Sequence, residues 1–361
     1  MLASLTLDEF RNYAHARLEL PDGLIAVFGP NAHGKTNLLE AIHLLGTGRL
    51  LRGRRDVDAV RQGAPRARVE GALRGSGATL AVEIRAGVRK HAMFNGASLP
   101  RTSDLMGRMP CVAFTSSDLS IVRGEPGDRR SFLDAELSQV RPAYLHHLTV
   151  YKRALEQRNA LLRLARETPQ PLDLFEAWEG ELAEHGGQIR AIRRESMASL
   201  ADRATAIQAR VGSGERLRLE YGRSDEAGTD ADLAEALARR RDRDIAAGWT
   251  SVGPHRDDFT VWLEDRDARM FGSQGQQRTA CIALKLGALH LVGEAMAVPP
   301  VLLLDDVFSE LDPRRREALI EIAGELAGQT ILTCTDREQV GDALGERVYW
   351  IGVHRGTAAP V

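Results

Sequence analysis

The stretch Gly29-Pro30-Asn31-Ala32-His33-Gly34-Lys35-Thr36 constrains this chain more than any other. It follows the apolar run LIAVF and precedes NLLEAIHLL, whose Leu38, Leu39, Ile42 and Leu45 share one helical face. The pattern GxxxxGK[ST] therefore stands in the strand, loop and helix setting it requires. Glycines let such a loop curl around an anion, and its backbone N–H groups and the positive helix end face phosphates. Lys35 is expected at the β- and γ-phosphates of ATP, and Thr36 at Mg²⁺. A ligand-free turn between strand and helix is the plain alternative.

A second apolar strand, Val301-Leu302-Leu303-Leu304, ends in Asp305-Asp306. That is how a Walker B strand delivers carboxylates to its C-terminal edge. Asp305 is expected to hold Mg²⁺, largely through water, and Asp306 to act as a general base or orient a water. Lys35, Asp305 and Asp306 are thus the candidate catalytic residues. Two adjacent carboxylates are costly without a metal. An acidic strand end meeting solvent would explain this motif if it stood alone.

Between the two lies FGSQGQQR, residues 271–278, followed by TACIALKLGALHLVGEAM with Ile282, Leu286 and Leu289 at core spacing. Small polar residues opening a helix make a second anion site. Phosphate loop, serine-glycine loop and Walker B strand occur in ABC ATPase order. In that class one subunit's signature loop covers the γ-phosphate held by the other, so an ATP-dependent homodimer is expected. ATP favours the closed state because its γ-phosphate makes contacts there that ADP lacks.

The first 115 residues read as strand-rich, with LASLTLDEF, LIAVFGP, ARVEGALRG and ATLAVEIR as alternating or short apolar runs. From about Pro126 to Arg243 the spacing turns helical, as in Tyr144, Leu148, Tyr151 and Leu155. TPQP at 168–171 and GSG at 212–214 break this block, and no heptad persists long enough for coiled-coil arms. GRSDEAGTDAD at 222–232 reads as an exposed loop, after which WTSVGPHRDDFTVWLED returns to strand character. The expected architecture is α/β: an ABC-type P-loop ATPase head with a β-rich N-terminal part and a parallel core sheet, over 1–117 and 250–361. Residues 118–249 are expected to form an inserted, mainly α-helical domain.

No run approaches the roughly 18 consecutive apolar residues of a membrane span, so a cytoplasmic protein without membrane association is expected. Cys111, Cys281 and Cys334 stand far apart, with neither disulfide nor zinc spacing. The formal charge of −2 does not advertise nucleic acid, so any DNA site must come from local clusters. Arg49, Arg52, Arg54 and Arg55 form one, and Arg239, Arg240, Arg241 and Arg243 another. Arg52, Arg54 and Arg55 are the candidates for sequence-independent backbone contacts, a solvated face being the plain alternative.

Further residues resemble one family throughout the chain, the RecF family. They are Phe10-Arg11-Asn12-Tyr13, Asp118-Leu119 through Arg123-Gly124-Glu125-Pro126 to Arg129-Arg130, Phe132-Leu133-Asp134, and Leu137-Ser138-Gln139. Gln157-Arg158-Asn159-Ala160-Leu161-Leu162, Val252-Gly253-Pro254-His255-Arg256-Asp257-Asp258, the GSQGQQR loop and LLLDDVFSELD complete the match. The resemblance implies weak ATP hydrolysis, ATP-dependent dimerisation, preference for gapped or junction DNA, partnership with RecR and RecO, and a role in loading recombinase at single-strand gaps.

Carried over residue by residue, it assigns Gly29, Pro30, Asn31, Ala32, His33, Gly34, Lys35 and Thr36 to ATP, together with Arg11 and Asn12. Thr36 and Asp305 fall to Mg²⁺, and Ser273, Gly275 and Gln276 to the opposite nucleotide. Ser309, Glu310, Leu311 and Asp312 form a dimer-crossing loop. Asp118 lies where other ABC ATPases carry a sensing glutamine, and Thr335-Asp336 where many carry a switch histidine. Ala32 replaces the usual loop glycine, Asp306 is one methylene shorter than the usual glutamate, and the signature reads SQGQ rather than SGGQ.

Three other readings compete. A transporter ATPase subunit has a short gap between phosphate loop and signature, whereas here Thr36 and Ser273 stand far apart. A chromosome-structure or Rad50-like head needs heptads and a CxxC hook, which the sequence lacks. A nucleotide-gated interaction module that reaches DNA only through a partner stays open, because the basic clusters fit either role.

Overall fold

The computed structural model describes residues 1–53, 55–212, 214–225, 230–340 and 348–361. In chain order its elements are β1 (Leu2–Phe10), β2 (Tyr13–Glu19), β3 (Gly23–Phe28), α1 (Lys35–Thr47), β4 (Arg66–Leu73), β5 (Thr79–Arg85), β6 (His91–Phe94), β7 (Ala97–Ser98) and β8 (Cys111–Thr115). Then come α2 (Ser120–Arg123), α3 (Pro126–Val140), α4 (Pro142–Ala165), α5 (Leu172–Val211), β9 (Leu217–Gly222), α6 (Asp230–Ala247), β10 (Asp258–Leu263), β11 (Arg266–Asp267) and α7 (Ala268–Phe271). The chain closes with α8 (Gln274–Met296), β12 (Val301–Asp305), α9 (Pro313–Leu326), β13 (Gln329–Cys334), β14 (Val348–His354) and β15 (Thr357–Pro360).

Internal contacts divide the chain into two compact units. The first comprises Met1–Asp118, Arg210–Gly212 and Ile282–Val361, and the second Leu119–Ala209 and Ser213–Cys281. In the first unit an antiparallel sheet runs β2-β1-β4-β5-β6-β7, and a second sheet runs β15-β14-β3-β13-β12-β8, parallel except for β15. Strand β12 is an apolar run without alternation, and β13 is buried at every position, because both faces of these strands are covered. Helix α1 contacts strands of both sheets, and Leu38, Leu39, Ile42 and Leu45 are fully buried in the core they share. That core fixes the helix whose first turn carries Lys35 and Thr36.

The second unit combines α3, α4, α5 and α6 with a small antiparallel sheet, β11-β10-β9. The expected boundary at 249/250 falls inside it: β10 pairs with β9 from Asp258↔Gly222 to Leu263↔Leu217, which holds the segment up to Cys281 with the helices before it. A buried arginine ties the helices together. Arg158 of α4 donates to Glu179 Oε1 of α5 at 3.0 Å, to Asp244 Oδ2 of α6 at 2.8 Å and to Thr250 Oγ1 at 2.9 Å.

The stretch 222–232, expected as an exposed loop, lies partly outside the described residues. Of the described part, Gly222, Arg223 and Ser224 are exposed, whereas the Asp225 side chain is 6% exposed and pairs at 2.7 Å with Arg190, which also pairs with Asp257. Helix α8 is apolar over much of its length, although without a continuous apolar run. One window of it, at mean hydropathy 1.3, is long and apolar enough to cross a membrane, although 67% of that window is buried inside the protein, as in a core helix.

Candidate functional site

The phosphate loop joins β3 to α1 in a conformation few residues adopt. Gly29 has φ 147° and Gly34 φ 119°. A Cβ on Gly29 would sit 2.3 Å from the Val353 carbonyl oxygen, and one on Gly34 2.7 Å from the Asn12 amide. Ala32, the departure from the usual glycine, is held at φ 65°. A left-handed alanine costs about 1–2 kcal/mol, which the surrounding structure must offset.

Lys35 is 9% exposed and its ammonium is already engaged. Nζ donates to Gly29 O at 2.6 Å, Pro30 O at 3.1 Å and Asn31 Oδ1 at 3.3 Å. Burial lowers the Lys35 pKa below its usual range, against the opposing pull of Asp306, Cys334, Asp305 and Asp336.

At the edge of β12, Asp305 Oδ1 accepts from Thr36 Oγ1 at 2.8 Å and from Thr333 Oγ1 at 3.0 Å. The Thr333 oxygen also accepts from the Asp306 backbone N–H at 2.8 Å, and Asp306 adopts φ 54°. Parallel pairing of β12 with β13 and of β13 with β3 brings these distant segments together. A cavity of about 210 Å³ results, lined by Asn31, Ala32, Gly34, Lys35, Thr36, Asn37, Arg52, Asp305, Asp306 and Thr333. Hydroxyl and carboxylate oxygens are the donors Mg²⁺ requires, so Thr36 and Asp305 fit the ion.

Arg11 and Asn12, expected at the nucleotide, are not among the residues that line this cavity and contact the loop and helix α1 instead. Asn12 Nδ2 donates to His33 O at 2.8 Å, its Oδ1 accepts from Asn37 Nδ2 at 2.8 Å, and Tyr13 donates to Gly34 O at 3.0 Å. These contacts hold the loop backbone. Arg11 pairs with buried Glu40, at 2.6 Å to Oε2 and 2.9 Å to Oε1, and also donates to Asp58 O and Arg52 O. Glu40 Oε1 accepts the Arg52 backbone N–H at 3.0 Å. The Arg11–Glu40 pair thereby fixes Arg52 on the rim of the cavity.

The expected DNA arginines thus separate. Arg52 lines the cavity beside Lys35 and Asp305, Arg55 is exposed and pairs with Asp58 at 3.2 Å, and Arg54 lies outside the described residues. Arg239 and Arg241, from the second basic run, pair with Glu235 and Glu179. Asp118 accepts from Thr115 N at 2.6 Å and pairs with Lys285 at 3.7 Å, and the Thr335 hydroxyl donates to Asp336 at 3.1 Å.

In the second unit, Ser273 opens α8 with a reciprocal cap: its N–H donates to Gln276 Oε1 at 2.8 Å, and its hydroxyl accepts from Gln276 N at 3.2 Å. Ser273 is exposed, as are Met270 and Phe271, and Gly275 O accepts from Thr279. Of the expected dimer-crossing loop, Ser309 donates to Asp306 O at 2.9 Å, and Asp312 caps α9 by accepting from Arg315 N at 3.1 Å. The Glu310 side chain lies outside the described residues.

Sequence reasoning missed Thr333, Asn37 and Glu40. The first is a hydroxyl one residue before the end of a fully buried strand, and the last is the one acid on helix α1. Either signal was available.

A family model described as RecF/RecN/SMC N terminal domain matches residues 1–358. The chain is 40% identical over 353 residues to a DNA replication and repair protein RecF of Symbiobacterium thermophilum, covering 94% of this chain and 92% of that one. It is 38% identical over 370 residues to the protein of the same name from Myxococcus xanthus, covering 99% and 97%. A solved structure of the recombination mediator protein RecF-ATP in the RecFOR pathway superposes at TM-score 0.91 with 32% identity, over 100% of this chain and 97% of that one. An Smc head bound to the C-winged helix domain of ScpA, 14% identical at TM-score 0.57, shares the fold.

Proposed function

We propose a mode of action for this chain, which belongs to the RecF family of DNA replication and repair ATPases: two copies close on ATP, and the closed homodimer holds gapped or duplex/single-strand junction DNA. The observation that carries the reading is the convergence of Lys35, Thr36, Asp305 and Asp306 on one cavity, while Ser273 and Gly275 open an exposed helix N-terminus suited to a γ-phosphate presented by a second copy. Lys35 exchanges its loop carbonyls for the β- and γ-phosphates. Thr36 and Asp305 would hold Mg²⁺, which when bound neutralises charge building on the phosphates. Asp306 orients the attacking water, and slow hydrolysis removes the contacts that favour closure, so the dimer reopens.

The same reading places the protein in the cytoplasm, acting with RecR and the RecO pathway to load recombinase at single-strand gaps. The RecFOR context of its solved relatives supports that partnership. A second reading, in which DNA is held through a partner protein, draws on the fate of the arginine cluster, where Arg52 turns to the nucleotide and Arg55 is paired.

Fluorescence anisotropy of labelled gapped duplex with ATP, with ADP and with the Lys35→Met variant, across a salt series, separates the two. Binding that needs ATP, disappears in the variant and weakens with salt is the expected result. A folded, ATP-binding protein that ignores DNA in every state would shift the function to the partner-dependent module.

A further inference from the structure

Two helices of the second unit bring three imidazoles together. His146 and His147 lie in the second turn of α4 and His185 lies on α5. One nitrogen from each ring lies within 4.8 Å of the other two. His147 and His185 are closest, with their Nδ1 atoms 2.8 Å apart, and the ring centroids of the trio are separated by 5.4, 5.7 and 5.1 Å. His185 is buried, while His146 is exposed and reachable from solvent.

His185 Nε2 faces Glu181 Oε2 at 3.5 Å, one turn earlier on the same helix. A carboxylate there draws the ring proton to Nε2 and leaves the His185 Nδ1 lone pair pointed at His147, the outer partner that metal-ligating histidines ordinarily have. Two lone pairs at hydrogen-bond distance repel unless a proton or a cation lies between them.

We infer that His146, His147 and His185 form a transition-metal site, filled by a Zn²⁺-class ion that cross-links α4 to α5. Imidazole nitrogen selects zinc and its neighbours over the hard ions Mg²⁺ and Ca²⁺. Three histidines with one open position are an established zinc donor set. Zn–N bonds of about 2.0–2.1 Å in a tetrahedron put the nitrogens roughly 3.3 Å apart. Side-chain rotation therefore has to open the His147–His185 pair by about half an ångström and draw His146 inward. Cysteine spacing gave no hint of this site, because its ligands are histidines gathered from two helices. It is separate from the Thr36–Asp305 site in residues and in donor chemistry.

The test is isothermal titration of the full chain with Zn²⁺, without nucleotide and in excess Mg²⁺, with Co²⁺ absorption as a second probe of coordination. One Zn²⁺ per chain and a tetrahedral Co²⁺ spectrum are expected. Both should be lost in His146→Ala/His147→Ala, whose ATP affinity and circular dichroism stay those of the parent. Glu181→Ala, at an exposed carboxylate, should keep the stoichiometry and weaken Zn²⁺ by about tenfold or more. No Zn²⁺ uptake by the folded parent, or equal uptake by parent and double variant, overturns the assignment.

Discussion

The Thr36 hydroxyl donates to the Asp305 carboxylate at 2.8 Å across 269 positions of sequence. Neither residue makes a metal site alone, so either change should act through Mg²⁺. Asp305→Asn is expected to keep ATP binding measured in EDTA and to lower Mg²⁺-supported hydrolysis by on the order of a hundredfold, since a catalytic metal contributes several kcal/mol. A steady-state Mg²⁺ titration checks this, and a variant with parental hydrolysis would remove Asp305 from the role.

Asp306 sits at φ 54°, a conformation asparagine tolerates better than most residues. Its backbone N–H, not its side chain, bonds to Thr333. Asp306→Asn should therefore fold normally, bind ATP, hydrolyse it far more slowly and persist as a closed dimer. Size-exclusion chromatography with light scattering after ATP addition reads this out. Rapid return to monomer would assign water activation elsewhere.

Arg52 and Arg55 are three residues apart and should behave differently. Arg52→Ala is expected to weaken ATP by about tenfold, the loss of roughly one charge-assisted hydrogen bond. Arg55→Ala should leave ATP affinity alone and, if the exposed side chain meets a DNA phosphate, reduce the salt slope of DNA binding by about one. Nucleotide titrations in which Arg52→Ala matches the parent would place Arg52 outside the nucleotide site.

The phosphate loop, the Walker B strand, the capped serine loop and most strands were legible in the sequence, because each is a local pattern whose period or spacing has one structural solution. What stayed hidden depends on who lies opposite whom. Arg11 and Asn12 were readable as part of a family signature, yet only the fold shows one clamping Glu40 and the other bracing the loop. The extent of the second unit past residue 249 is hidden for the same reason: strand character at 258–263 shows in the sequence, its pairing with β9 does not.

Buried charge makes the second unit sensitive to single changes. Arg158 is wholly buried between Glu179 and Asp244. Arg158→Met should strand the buried Asp244 carboxylate, Glu179 keeping Arg241, and cost about 3–5 kcal/mol in urea unfolding, and Arg158→Met/Asp244→Leu should recover much of it. A neutral single variant would show that the carboxylate finds water or a proton instead.

His255 predicts a pH dependence. Its Nε2 donates to Thr250 O at 3.0 Å, so the neutral ring accepts the Tyr151 hydroxyl at Nδ1, 2.6 Å away. Burial pushes its pKa down from 6.5 to about 4, assisted by Arg256 and Arg130 and opposed by the Thr250 bond and by Asp257. The unfolded chain binds this proton first. Stability from the neutral ring is thus full above pH 6.5 and falls as pH drops toward about 4, with a slope of up to about 1.4 kcal/mol per pH unit. Chemical denaturation at several pH values should show the slope, and His255→Asn should flatten it.

The Lys35 ammonium donates to three oxygens of its own loop, at Gly29, Pro30 and Asn31. Nucleotide capture is therefore a displacement, in which an incoming anion competes with three oxygens already in place. Weak or singly anchored anions gain too little from that exchange, so free phosphate should be a poor competitor even at cellular abundance. A polyphosphate tail gripped along the whole loop compensates for every contact it breaks. The loop thus discriminates by the number of phosphates presented before the opposite subunit takes any part.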